Sequence, residues 1–253
     1  MPEFNLVLSS LQVRNDEPAP MTRPVRIEHD LLGDRAVPAD AYYGIHTLRA
    51  LENFAISGTP ISIYPDLVGA LACVKQAAAI ANAELGLLDE KRSMAIRLAC
   101  EEVREGRLHA EFVVDVIQGG AGTSTNMNAN EVLCNRALEL LGHAKGEYQH
   151  LHPLDHVNLS QSTNDVYPTA LKLALNFGIQ RLLAEMRALR ESFQAKAREF
   201  EAVLKVGRTQ LQDAVPMTLG QEFSTYAVML GEDEQRLGEA QALIREVNLG
   251  ATA

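Results

Sequence analysis

Seven apolar residues, Leu182, Met186, Leu189, Phe193, Ala197, Phe200 and Leu204, recur at steps of four, three, four, four, three and four. That is the period of one helix face. The spacing predicts a helix that starts near Val166 and runs for roughly 40 residues, about 60 Å at 1.5 Å per residue. A break is expected over Gly207–Pro216. A second helix then starts at Pro216, in the favoured first-turn position, with the stripe Leu219, Phe223, Tyr226, Leu230, Leu237, Ile244 and Val247. A long helix buries little against a single neighbour, and a stripe of this length is not left in water. The bundle that these helices begin is therefore expected to be completed by other chains or by further residues.

The rest of the chain reads as mainly helical. Asp66 to Leu85 follows a Pro-Asp start and ends near Gly86; Glu90 to Glu105 ends at Gly106. Val25 to Pro65 is expected to be loop-rich with a few short strands, and residues 1–24 to be a disordered extension without the basic front and cleavage site of a signal peptide. The organisation that follows is an all-α fold with a few short strands: a helical N-terminal domain over 25–160, then the first part of a long-helix bundle over 161–253. Aromatics are 5% and Trp is absent, so the core is aliphatic. A net charge of −10 with no basic run argues against nucleic acid and anionic membrane surfaces as partners. No apolar stretch is long enough to span a bilayer. Cys73, Cys100 and Cys134 lack paired spacing and are expected to be reduced, buried thiols of a cytoplasmic protein.

Three polar segments interrupt the apolar helices: Gly119–Glu131, Ser160–Asp165 and Arg208–Asp213. Each offers Thr, Ser, Asn or Gln as neutral donors, and two stand where a helix begins. Free N–H groups at a helix start, joined by hydroxyls and amides, suit a carboxylate or a phosphate. Singly, each has a plainer reading. Gly119-Gly-Ala-Gly122 lacks the Lys of a phosphate loop and, taken alone, reads first as a turn between helices. Ser162-Thr-Asn-Asp165 serves equally as a helix cap, and so does Asp213 before Pro216. His150, His152 and His156 with Asp155 invite a metal, but the only helical pair among them is His152/His156 and the segment is turn-rich; no metal and no cofactor is assigned.

In combination, these segments resemble the aspartase/fumarase superfamily. The likeness is carried by Gly44-Ile-His-Thr-Leu-Arg-Ala-Leu-Glu-Asn-Phe54, Gly119 to Val132, Asp155 to Asp165 and Gly207 to Glu222, in that order. It covers roughly Val25 to Ala253, and its detail is nearest the aspartate ammonia-lyase branch. The resemblance implies a homotetramer around a central helix bundle, with sites composed where three subunits meet. It implies that Thr123, Ser162, Thr163, Asn164 and Thr209 line the substrate pocket, and that L-aspartate and fumarate are the ligands. Fumarases carry His where this chain has Gln210, beside Thr209. An ammonium leaves as neutral ammonia and needs less help from a proton donor than hydroxide does, so a neutral amide fits an amine substrate. His152-Pro-Leu-Asp155 is similar to a second anion site of fumarases, with Leu154 where an Asn is usual.

Removing the aspartate Cβ proton places a second negative charge on the neighbouring carboxylate, so catalysis rests on donors aimed at that charge. Thr123, Ser162 and Thr163 are suited to this role. Asn164 can accept from the substrate ammonium. The family's Gly-Ser-Ser-x-Met-Pro-x-Lys-x-Asn loop, which carries its serine base, does not occur in these residues, so the chain by itself is expected to be inactive. A fumarase-type hydratase and a non-catalytic helical assembly unit are the alternatives.

Overall fold

The structure is a computed structural model that describes residues 24–117, 120 and 122–252. The expected disordered extension lies, but for Pro24, outside the described residues. The fold is mainly helical, with two small antiparallel hairpins. Strands β1 (Val25–Asp30) and β2 (Gly33–Pro38) pair first. Helices α1 (Ile45–Asn53), α2 (Pro65–Glu84), α3 (Glu90–Arg104) and α4 (Thr123–Leu140) follow. A single wide turn at Pro153–Val157 leads into α5 (Thr163–Glu199), strands β3 (Leu204–Thr209) and β4 (Gln212–Thr218), and α6 (Leu219–Leu243).

Local signals account for most helix ends. Pro65 opens α2 with Asp66 in its first turn, where an acidic side chain meets the positive end of the helix dipole. Asp89 caps α3 by accepting from the Arg92 N–H at 3.0 Å. Gly86 and Gly106, at φ +72° and +92°, follow the ends of α2 and α3 in the left-handed region that only glycine adopts freely.

Helices α2, α3 and α4 pack on one another, and the first turns of α5 close the layer. Leu71 and Val68 of α2, Ile96 and Val103 of α3, Leu133 and Leu138 of α4, and Val166 and Ala170 of α5 are fully buried there. All three cysteines are free thiols; Cys100 and Cys134 belong to this core as expected, whereas Cys73 is only half-buried. No helix of the described residues is long and apolar enough to cross a membrane.

The two long helices exist and run antiparallel. Lys172 donates to the Glu246 carbonyl, Gln241 to Asn176 at 3.0 Å, and Arg190 to Glu234 at 2.8 Å. At the far end Phe193 packs on Phe223 and Tyr226, with ring centroids 5.9 and 5.5 Å apart, and Phe200 on Phe223. Beyond Ala170, no residue of α5 is fully buried, and only Gly220 and Ala227 of α6 are. Leu182 and Leu189 of the periodic stripe stay 48% and 47% exposed.

Several expectations are corrected. The stripe is not a single helix face to its end: α5 stops at Glu199, Phe200 follows as its cap residue and Leu204 opens β3. The segment before Pro65 holds a helix, α1, and the second long helix begins at Leu219 rather than Pro216. Pro216 sits in β4 opposite Val206, beside an irregularity in the hairpin ladder. Thr218 supplies the cap instead: its hydroxyl accepts from Gln221 N–H at 3.1 Å while the Gln221 side chain accepts from Thr218 N–H at 2.9 Å. Asp213 is likewise no cap but lies in β4, 3.0 Å from Arg208 across the hairpin.

Candidate active site

The starts of α4 and α5 adjoin. Gly122, at φ +84°, is the residue before α4, and a Cβ placed on it would lie 2.3 Å from Cγ of Tyr167 in the first turns of α5. Only glycine permits that approach. One turn into α4, Asn126 donates from Nδ2 to the Thr163 hydroxyl at 2.9 Å. Thr123, Ser162, Thr163 and Asn164 thus stand on two neighbouring helix starts, as the sequence motifs suggest. Thr123 and Asn164 are exposed, Ser162 and Thr163 half-buried. Ser162 acts as the cap of α5, its Oγ accepting from the Asn164 N–H at 3.2 Å, so the plainer reading of that segment holds. Gly122 has no side chain with which to cap α4.

The last described segment returns to this end. Pro168 cannot donate to the Asn164 carbonyl four residues earlier, and the Asn248 side chain fills that acceptor at 2.9 Å. The Thr252 hydroxyl donates to buried Asp165 at 2.7 Å.

A cavity of about 640 Å³ opens beside α4, lined by Thr123, Ser124 and Met127 with His46, Arg49, Asp30 and His152. Behind its His46 side, Glu131 and Glu28 hold the start of α1. Fully buried Glu131 accepts from the N–H groups of Gly44 (2.8 Å), His46 (2.8 Å) and Thr47 (3.0 Å), and Glu28 from that of Ile45 (2.8 Å). Two carboxylates from elsewhere in the chain therefore occupy the free N–H groups at the start of α1. Burial raises the Glu131 carboxyl above its usual range, against the pull of His46 and these N–H donors. His46 Nδ1 lies 3.5 Å from Glu131 Oε1. Arg49 is bound to Asp30 through two hydrogen bonds of 2.7 and 2.8 Å, which hold the Asp30 carboxyl below its usual range.

Thr209 and Gln210 are elsewhere. They form the exposed tip of the β3–β4 hairpin, which follows the end of α5. With 37 residues in α5, that end is about 55 Å from Ser162 along the helix. Within one chain these residues do not meet the other four. Gln210 and Leu211 both take positive φ, +50° and +63°, the arrangement of a tight two-residue hairpin turn usually given to Asn-Gly. Holding two bulky residues there stores strain.

Of the set His150, His152, His156 and Asp155, His152 Nδ1 lies 3.4 Å from Asp155 Oδ2, and His156 Nδ1 accepts from the His152 N–H at 2.8 Å. His152 Nδ1 accepts from the N–H groups of Leu154 and Asp155 at 3.2 and 3.3 Å, which uses the two backbone donors that a second anion site would offer. Among the described residues, His143, Glu147 and His150 bring ligand atoms within 4.8 Å of one another. The two imidazoles stack 3.8 Å apart at 8°, so their in-plane lone pairs run parallel and do not converge on one ion.

Lys75 carries a sign in the sequence that lies outside its motifs. It is the only charged residue between Asp66 and Glu84, and it is fully buried, donating to Asn158 and Gln161. Burial pulls its ammonium from the ordinary 10.5 down to about 7.

A family profile described as Lyase matches residues 33–253. The aspartate ammonia-lyase of Pseudomonas aeruginosa is 62% identical over 229 residues, which is 90% of this chain and 48% of that protein. The aspartate ammonia-lyase of Escherichia coli K12 is 56% identical over 234 residues, 92% of this chain and 49% of that one. Among solved structures, a fumarate lyase:delta crystallin from Brucella melitensis is 57% identical with a TM-score of 0.88, covering 90% of this chain and 53% of the other. A recombinant class II fumarase from Schistosoma mansoni is 40% identical with a TM-score of 0.85, covering 91% and 48%. The chain spans about half the length of the curated relatives it matches. With the profile matched over most of its length and aspartate ammonia-lyases among its relatives, the chain belongs to the lyase family and is a homologue of the aspartate ammonia-lyases.

Proposed function

We propose that this chain is part of an enzyme that reversibly converts L-aspartate to fumarate and ammonia. The observation that carries the reading is the meeting of two helix starts, where Thr123, Ser162, Thr163 and Asn164 offer short neutral donors. A base removes the Cβ proton, and the electron pair moves into the β-carboxylate as an enediolate. Its return forms the Cα–Cβ double bond while the C–N bond breaks and neutral ammonia departs. The hydroxyls of Thr123, Ser162 and Thr163 steady the doubly charged carboxylate, each loss costing about 3 kcal/mol of barrier. Asn164 orients the ammonium.

In this reading residues 25–160 form a helical domain and 161–253 begin a bundle shared between copies. The half-exposed apolar faces of α5 and α6 support a homotetramer, and so does the distance of Thr209 and Gln210 from the other four. A second copy supplies the hairpin tip, with Gln210 beside the departing amine. The serine base belongs to residues outside this chain, so the 253-residue chain alone gives no turnover.

The test is fumarate absorbance with the full-length protein on L-aspartate and on malate, and with the 253-residue chain on aspartate. Turnover of aspartate by the full-length protein alone is expected. Preference for malate would replace the reading with a fumarase-type hydratase. Failure of the full-length protein to bind fumarate would leave only an assembly role.

A further inference from the structure

Lys75 stands at the head of a chain of side chains that ends on the Thr163 hydroxyl. Its ammonium donates to Asn158 Oδ1 at 2.8 Å and to Gln161 Oε1 at 3.0 Å. Both partners are neutral amides, and among the described residues no carboxylate pairs with it. Asn158 Oδ1 also accepts from Asn126 Nδ2 at 3.1 Å and from Asn130 Nδ2 at 3.3 Å. Asn126 Nδ2 in turn donates to Thr163 Oγ1 at 2.9 Å. Lys75, Asn126 and Asn130 are at most 1% exposed.

A buried ammonium hydrogen-bonded to two amide oxygens, with the Cys100 thiol as its other titratable neighbour, is costly, and an apolar side chain of like volume would fill the space at less cost. What an ammonium supplies is direction. It has donors only, whereas an amide can present either end. Because Lys75 only donates, Asn158 turns its oxygen inward. Because Asn158 presents oxygen, Asn126 turns its NH₂ toward it. The same NH₂ fills a lone pair of the Thr163 hydroxyl, which leaves the hydroxyl proton to be donated elsewhere. The loop between Val157 and Ser162 is held by the same set: Asn158 Nδ2 donates to the Gln161 carbonyl at 2.9 Å and Gln161 Nε2 to that of Val157 at 2.9 Å.

From this juxtaposition we infer that Lys75 is a positioning residue. Through Asn158 and Asn126 it fixes the Thr163 hydroxyl as a donor toward the substrate carboxylate, and it holds the loop that delivers Ser162 to Asn164. The role in turnover rests on the aspartate-lyase reading above; the orienting role does not.

Two arms test this, both at pH 6, on the acid side of the Lys75 value of about 7. In the full-length protein, Lys75→Met is expected to lower kcat for aspartate about 10- to 100-fold with KM changed less than threefold, a smaller loss than the 10²–10³ of removing a donor outright. Thr163→Val should lose at least as much, and the double variant no more than Thr163→Val alone. Asn126→Ala, which cuts the same chain one link later, should match Lys75→Met and serves if that variant does not fold. The second arm is a crystal structure of Lys75→Met, or of Asn126→Ala in its place, expected to show Thr163 Oγ1 turned to a new rotamer or split between two. A kcat within twofold of the parent, strictly additive losses, or an unmoved Thr163 would overturn the inference. Should the parent fail to turn over aspartate, the functional reading falls while the crystallographic arm still decides the orienting role.

Discussion

Replacing Glu131 should release the start of α1 before it disturbs the rest of the fold. The carboxylate accepts three backbone N–H groups, those of Gly44, His46 and Thr47, at 2.8 to 3.0 Å, and Glu131 itself has no exposed surface. Glu131→Ala leaves these donors without a partner in a site that water does not reach. At about 1–3 kcal/mol for each orphaned group, the loss is at least ~3 kcal/mol. Glu131→Gln keeps one oxygen but turns an NH₂ toward at least one N–H, so an intermediate loss near 2 kcal/mol is expected. The loss should also be local. α1 touches the rest of the protein chiefly through α4 and the first hairpin, so it can open while α2 and α3 remain packed. Urea unfolding followed by circular dichroism measures the total, and hydrogen exchange on peptides covering 44–53 and 68–79 measures where it falls. An unfolding free energy within ~0.5 kcal/mol of the parent for Glu131→Ala, or faster exchange spread evenly over both peptides, would refute the capping argument.

Two further outcomes follow from the same structure. Asp115 accepts from Ser57 N–H, Ser57 Oγ, Gly58 N–H and Ile117 N–H at 2.7 to 2.8 Å; burial alone would raise its pKa, but these bonds outweigh it and bring the carboxyl down to about 2. A depressed folded pKa gives stability that is present above the ordinary value and lost as pH falls toward 2, so the melting temperature should drop between pH 4 and 2, and Asp115→Asn should flatten that drop; parallel melting curves would contradict it. Gly220 lets α6 cross the end of α5, since a Cβ there would lie 2.5 Å from the Ala197 carbonyl oxygen and 2.9 Å from Glu201 N, whereas nothing lies within 4 Å at Gly238. Gly220→Ala should therefore lose about 1–3 kcal/mol while Gly238→Ala gains up to ~1 kcal/mol, and equal effects by thermal melting would dismiss the crossing as the cause.

What the sequence determined by itself is whatever its neighbouring residues encode. The period of the stripe from Leu182 to Ala197, the Pro-Asp start at Pro65 and the stops at Gly86 and Gly106 are local; they marked α2 and α3 to within a few residues and most of α5, whose end they overran into β3. The polar segments also stood out, because Thr, Ser and Asn are conspicuous between apolar helices. Tertiary structure decided the rest. α1 escaped notice because its cap, Glu131, lies 87 residues from Gly44 in the chain, and Gly44 itself carries no capping side chain. Pro216 resembles a helix start until its pairing with Val206 fixes it in a strand. Lys75 looks like any solvated lysine on a helix until α4 and the loop after Val157 close over it. Such features depend on groups that are distant in sequence and adjacent only after folding, so no reading of nearby residues could supply their energies.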